Sequence, residues 1–153
     1  MGAFREIEDL FSEADTGRTA HLLLHREVPP AEVVYKAVNS PFGKMVLGQT
    51  TDGLCWSAFV DDESRGTGEL VQAFPGTSIT NGGGIWIRRA ERIVSDPLFS
   101  RDSLCLLVKG SQFRLGVWRQ LLDTPFGAIT SYGRIGGRLG DVNASRVVGA
   151  AVG

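Results

Sequence analysis

Two cysteines, two histidines and sixteen lysines and arginines are side chains here that could carry thiolate, metal or phosphate chemistry. A cysteine nucleophile works as a thiolate, and a thiolate at neutral pH needs an electropositive neighbour. Cys55 and Cys105 lie instead in the apolar runs LCWSAF and LCLLV, where a thiol packs as a small hydrophobe. His21 and His25 neighbour neither cysteine, and no Cys/His spacing of a metal site is present. Asn81-Gly82-Gly83-Gly84 lacks the Lys-Ser/Thr that a phosphate-cradling loop requires and reads as a flexible loop. The arginines say more. From residue 109 onward Lys109, Arg114, Arg119, Arg134, Arg138 and Arg146 stand against Asp123 and Asp141, a net charge of +4. The rest of the chain carries ten basic and fifteen acidic residues, a net charge of −5. A basic part joined to an acidic part offers one face to phosphates and one that avoids them. The alternative is charge scattered over a solvated surface.

The elements that must position these arginines can be read from periodicity and caps. Phe113, Val117, Trp118, Leu121 and Leu122 share one helix face, with Trp118 as a core anchor rather than a base-stacking platform. Thr124-Pro125-Phe126-Gly127 ends that helix. Ser131 is placed to cap a helix beginning at Tyr132, Gly140 suits its left-handed C-terminus, and Asn143 is placed to cap a last helix over 144–152. The last two helices have the proportions of a helix-turn-helix, a compact way to seat a helix in a DNA groove. Ala144, Gly149, Ala150 and Ala151 give the final helix a small surface, suited either to tight helix packing or to a narrow groove. Gly136 and Gly137 each cost about 1 kcal/mol against alanine, which predicts a marginal helix there.

Upstream, Val33 to Val38, Lys44 to Gln49 and Leu54 to Val60 read as three strands of an antiparallel meander, joined by turns at Ser40-Pro41-Phe42-Gly43 and Thr51-Asp52-Gly53. Asp61 to Gly68 reads as a polar loop, Glu69 to Phe74 as a short helix, Ile85 to Val94 as a helix and Leu104 to Val108 as a strand. Phe4, Ile7, Leu10 and Phe11, with the apolar run Ala20 to Leu24, predict one or two helices before Pro29-Pro30. The expected organisation is an N-terminal extension over 1–30, an α/β domain over 31–108 and a helix-turn-helix domain over 109–153. No signal peptide and no apolar run of transmembrane length is present, which predicts a cytoplasmic protein, or a nuclear one in a eukaryote.

The run Ser111-Gln112-Phe113, Val117-Trp118, Leu121-Leu122, Pro125-Phe126-Gly127, Thr130-Ser131-Tyr132-Gly133, Leu139-Gly140, Ala144-Ser145-Arg146-Val147-Val148-Gly149-Ala150 resembles the DNA-binding domain of the O6-alkylguanine-DNA alkyltransferases. These are also called methylated-DNA–protein-cysteine methyltransferases. The turn at Ser40 and the run from Thr51 resemble that family's N-terminal sheet. The resemblance implies an α/β protein: a small antiparallel-sheet domain, then an all-α, winged-helix-like helix-turn-helix domain. It implies DNA repair by transfer of an alkyl group from O6-alkylguanine in double-stranded DNA to a protein cysteine, by a monomer without cofactor, metal or membrane. Tyr132 would crowd the phosphate of the target nucleotide. Arg146 would fill the vacancy left by the extruded base, since a buried O6 atom is out of an enzyme's reach. Ala144, Ser145, Val147 and Gly149 would line the minor groove, and Arg134 and Arg138 would add charge on the DNA side.

The family's acceptor lies in a Pro-Cys-His-Arg motif, and neither Cys55 nor Cys105 has those neighbours. No catalytic residue can therefore be assigned, and the expectation is an inactive fragment of such an enzyme. The alternative is a non-enzymatic, alkyltransferase-like binder of alkylated DNA. A transcription-factor helix-turn-helix fits less well, because Arg146 lies among small apolar residues rather than the polar side chains that read base edges.

Overall fold

The computed structural model describes residues 20–24, 29–96, 102–125 and 127–153. The chain runs β1 (Ala20–Leu24), β2 (Glu32–Ser40), β3 (Gly43–Gln49), β4 (Leu54–Phe59), α1 (Glu63–Ala73), β5 (Ser78–Asn81), α2 (Ile85–Ser95), β6 (Leu104–Val108), α3 (Gln112–Leu122), α4 (Tyr132–Arg138) and α5 (Ser145–Val152). It divides into two units, Met1–Leu107 and Val108–Gly153.

Turn chemistry sets the centre of the sheet. Ser40 Oγ accepts from the Phe42 N–H at 3.1 Å and donates to the Gly43 carbonyl at 2.7 Å. Gly43 takes a φ of 129°, open to glycine and strained for other residues. β2 and β3 accordingly pair antiparallel, from Val34↔Gln49 to Ser40↔Gly43. The Thr50 N–H bonds the Gly53 carbonyl at 2.9 Å and returns β4 antiparallel onto β3. This is the expected meander. Two parallel pairings widen it, β5 on β2 and β6 on β4, giving the order β1-β6-β4-β3-β2-β5. The sheet is therefore mixed, because helices α1 and α2 precede β5 and β6 and a helical crossover lets strands return parallel.

Alternation along the strands divides the core between two faces. Val38, Met45, Leu47 and Leu54 pack with Ile87 and Ala90 of α2. Val33 and Val46 pack on the other face with Leu70 of α1. β3 is buried on both faces and reads as the uninterrupted apolar run of an interior strand.

Three elements differ from expectation. Ala20–Leu24 is a strand, not part of a helix; five residues are too few for either period to show, and β6 offers it a partner edge. The rest of the helical expectation before residue 20 lies outside the described residues. α1 begins at Glu63, where a loop was expected, with Asp62 accepting the Ser64 N–H at 3.0 Å as N-cap. Gly66, inside the stretch expected as a loop, is a point of close approach: a Cβ there would stand 2.5 Å from Val60 Cγ1. β5 carries no apolar alternation and only Ile79 is half-buried, so its strand character comes from its partner β2.

α2 has Gly84 at its N-cap, with no side chain to offer. Gln49 supplies the missing acceptor from the sheet. Its Oε1 takes the Ile87 N–H at 3.0 Å, and its Nε2 donates to the Thr50 carbonyl at 3.4 Å. A Cβ on residue 84 would collide with this amide, which accounts for glycine there. Gln49→Ala strands a buried N–H and is expected to cost about 1–3 kcal/mol in urea unfolding. A change below about 0.5 kcal/mol, the range of ordinary surface substitutions, would contradict this role.

Candidate nucleic-acid interface

The Val108–Gly153 unit is built by three helices, the first two capped by serine side chains. Ser111 Oγ accepts the Arg114 N–H at 3.3 Å and starts α3. Ser131 Oγ accepts the Arg134 N–H at 3.2 Å and starts α4, as its position predicts. Gly140 follows α4 with φ of 91°, the left-handed residue expected there. Asn143 does not cap the last helix. α5 has Ala144 at its N-cap with no side-chain bond, and the Asn143 N–H donates to Asp141 Oδ1 at 2.8 Å. Asp141 closes its own turn first, so it shapes the approach to α5 that Asn143 was expected to cap.

Val117, Ile135, Ala144, Val148 and Ala151 form the core of the unit, with Phe113, Leu121 and Leu139 against it. Trp118 donates from Nε1 to the Ala151 carbonyl at 2.8 Å, tying α3 to the end of α5. Leu115, outside the face read from the sequence, is buried too. Gly136 is buried, and a Cβ there would lie 2.6 Å from the Asp141 carbonyl oxygen. The glycine is a close-approach point for the turn into α5. Its loss of helix propensity is the condition of that turn, whereas exposed Gly137 has only ordinary contacts around it.

The residues expected at DNA divide into outward and inward groups. Tyr132, the first residue of α4, keeps 49% of its surface exposed. Arg146 and Val147 on α5 are exposed, and Ser145 is half-buried. Arg134 is exposed, and neither its guanidinium nor that of Arg146 takes a hydrogen bond or ion pair among the described residues. Arg138 leans toward α3, its Nη1 donating to Gln120 Oε1 at 3.3 Å. Ala144 is a correction: it is 5% exposed, its methyl belongs to the core, and its side chain cannot line a groove. Gly149 is half-buried beneath the Tyr132 ring. Its small size admits a neighbour from the same chain. Gln120 gave no signal, since its role depends on where Arg138 falls after the turn.

Neither cysteine has the surroundings of an activated nucleophile. Burial pushes the Cys55 thiol up to about 12, only partly offset by a backbone hydrogen bond. Its Sγ lies 3.5 Å from the Gly48 carbonyl. Cys105 is half-buried in β6, and no disulfide joins the two. Among the described residues no cluster of His, Cys, Asp and Glu could hold a metal ion, and no helix is long and apolar enough to cross a membrane. A shallow depression of about 310 Å³ on α2 contains Glu91, bonded to Lys36, and Arg92, bonded to Asp102.

A mixed sheet with helices, followed by a capped helix-turn-helix unit carrying an exposed tyrosine and unpaired arginines, defines an α/β protein with a DNA-binding module. Residues 112–153 match the family model of the 6-O-methylguanine DNA methyltransferase DNA-binding domain. A methylated-DNA–protein-cysteine methyltransferase of Mycolicibacterium paratuberculosis is 31% identical over 125 residues, 79% of this chain and 70% of that protein. The Escherichia coli bifunctional transcriptional activator/DNA repair enzyme Ada is 25% identical over 122 residues; the match takes in 78% of this chain but only 34% of Ada. The crystal structure of Mycobacterium tuberculosis OGT in complex with DNA superposes with a TM-score of 0.60 at 26% identity, covering 77% of this chain and 68% of that one. The chain belongs to the methylated-DNA–protein-cysteine methyltransferase family.

Proposed function

We propose that this protein serves the direct reversal of O6-alkylguanine in double-stranded DNA, and that its residues 109–153 form the domain that grips the duplex and extrudes the damaged base. The observation that carries this reading is the placing of Tyr132 against α5 in the unit that matches the family's DNA-binding domain. Tyr132 crowds the target phosphate, Arg146 replaces the extruded base, and Ser145 and Val147 face the groove. Arg134 meets backbone phosphates, and Arg138 reaches them from its tether on Gln120. The protein acts as a monomer without cofactor, in the compartment that holds DNA. The α/β domain over 31–108 carries the module.

Alkyl transfer in this family ends on an activated cysteine. Cys55 is no such group: with its thiol near 12, the thiolate fraction at pH ~8 is on the order of 10⁻⁴. The 153-residue polypeptide is therefore expected to gain no methyl adduct from duplex DNA containing O6-methylguanine, read by intact mass. A methyl on Cys55 or Cys105 would overturn this assignment. Alkylation of Cys55 by iodoacetamide should stay slow through neutral pH and accelerate only as pH climbs toward 12. The stability linked to this thiol is complete below its ordinary value near 9 and drains as pH rises from there to about 12.

The inert cysteine also favours a second reading, a non-enzymatic binder of alkylated DNA. Titration of modified and unmodified duplexes decides between them. Tighter binding of the O6-methylguanine duplex without an adduct marks a damage binder. Equal affinity for both duplexes marks a DNA-handling module whose acceptor is not among these 153 residues. No duplex binding at all would sink both readings.

A further inference from the structure

α4 crosses α5 over small residues at its first two positions. A Cβ on Gly133 would stand 3.5 Å from Ser145 Oγ, and a Cβ on Gly149 would stand 3.3 Å from Cε2 and 3.5 Å from Cδ2 of Tyr132. The Tyr132 ring therefore lies on the bare backbone of Gly149. Ser131 fixes the start of α4 through its cap, but the phenol oxygen has no hydrogen bond among the described residues. Nothing polar aims the ring; the surface beneath it does. Residues three and four apart on a helix are neighbours on its surface. Gly149 stands four from Ser145 and three from Arg146, so a ring resting on Gly149 stands beside Arg146.

We propose that Gly149 is a positioning residue whose missing side chain forms the seat of the Tyr132 ring, holding the phenol beside Arg146 so that both act on one nucleotide. This rests on the base-extrusion reading above. A side chain at 149 crowds the seat: an alanine Cβ 3.3 Å from Cε2 makes the ring give by a few tenths of an ångström. The ring gives way first, because it is half-exposed and turns on single bonds, whereas Ile135, Ala144 and Val148 hold α4 and α5 together in a buried core. Alanine is also the better helix former. A merely structural glycine and a ring seat therefore predict different outcomes for the same substitution.

The test uses the full chain as parent, Gly149→Ala, Tyr132→Ala and the double variant. Each is held at saturating concentration over a duplex with a fluorescent base analogue at a mismatch, where extrusion is least costly. Gly149→Ala should lower the fluorescence rise, with a Tm no lower than the parent's, and the double variant should lose no more than Tyr132→Ala. A full rise with Gly149→Ala, a Tm well below the parent's, or losses that multiply in the double variant would each overturn the proposal. In the free protein, NMR cross-peaks between the Gly149 α-protons and the Tyr132 ring are expected, and their absence overturns the seat. A parent that gives no fluorescence rise sinks the extrusion reading and the purpose of the seat with it. The cross-peaks then still tell a seated ring from an unseated one, so the two failures are distinguishable.

Discussion

Arg146→Ala is expected to abolish base extrusion while weakening the grip on duplex DNA only modestly. Arg146 is exposed in the first turn of α5 and has no partner among the described residues. Its removal should leave stability within about 0.5 kcal/mol, as for ordinary surface positions. Extruding a base costs a few kcal/mol of stacking and pairing. A planar guanidinium can stack and hydrogen-bond in the vacancy, and a methyl group cannot. Losing about 2 kcal/mol of that compensation lowers the extruded population roughly thirtyfold, enough to remove the signal of a fluorescent base analogue. Phosphate-driven affinity has other contributors, so it should fall far less. Arg134→Ala should show the reverse pattern, reducing the salt slope of binding by about 1 with extrusion at saturation largely kept. An Arg146→Ala protein that extrudes the base as well as the parent would show that the guanidinium is not the filler.

The residues that could be read in advance are those whose role is local. Ser131 as a cap, Gly140 as a left-handed terminus and Gly43 in its hairpin turn each answer to a few neighbours in sequence, and each stands where expected. Leu104–Val108 matches its sequence range, although a five-residue apolar run is by itself as ambiguous as Ala20–Leu24. What failed depends on contacts that local pattern and propensity do not show. Ala20–Leu24 becomes a strand because of β6, eighty residues on. Gly66, Gly84 and Gly136 look like breaks or losses, yet each makes room for a group from elsewhere: Val60, the Gln49 amide and the Asp141 carbonyl. At the candidate site the types were legible and the directions were not. Ala144 at the N-cap of α5 and Val147 within it are both apolar, but one is in the core and the other is 56% exposed. The angle at which α5 meets α4 decides between them, and the sequence of α5 alone does not contain it.

Ile135→Ala should unfold the Val108–Gly153 unit at ordinary temperature. Two effects oppose each other. Alanine has the higher helix propensity, a gain of about 0.5 kcal/mol at most, and α4 is a helix that could use it, with three glycines in seven residues. Against this, Ile135 is 1% exposed and sits among Val117, Ala144 and Val148. Truncating such a side chain costs about 2–5 kcal/mol in lost burial and cavity. The cavity wins by several-fold. A unit of this size draws only about 3–5 kcal/mol from a single core, so the loss is comparable with everything that holds α4 and α5 in place. Amide exchange would read the result position by position. Protection across Tyr132–Arg138 and Ser145–Val152 should collapse, with β3 amides as the internal reference, and duplex binding should vanish with it. Retained protection in α5 would mean that the Trp118 bond to Ala151 and the contacts of Val148 hold the helix without Ile135, and that the core is less cooperative than its packing implies.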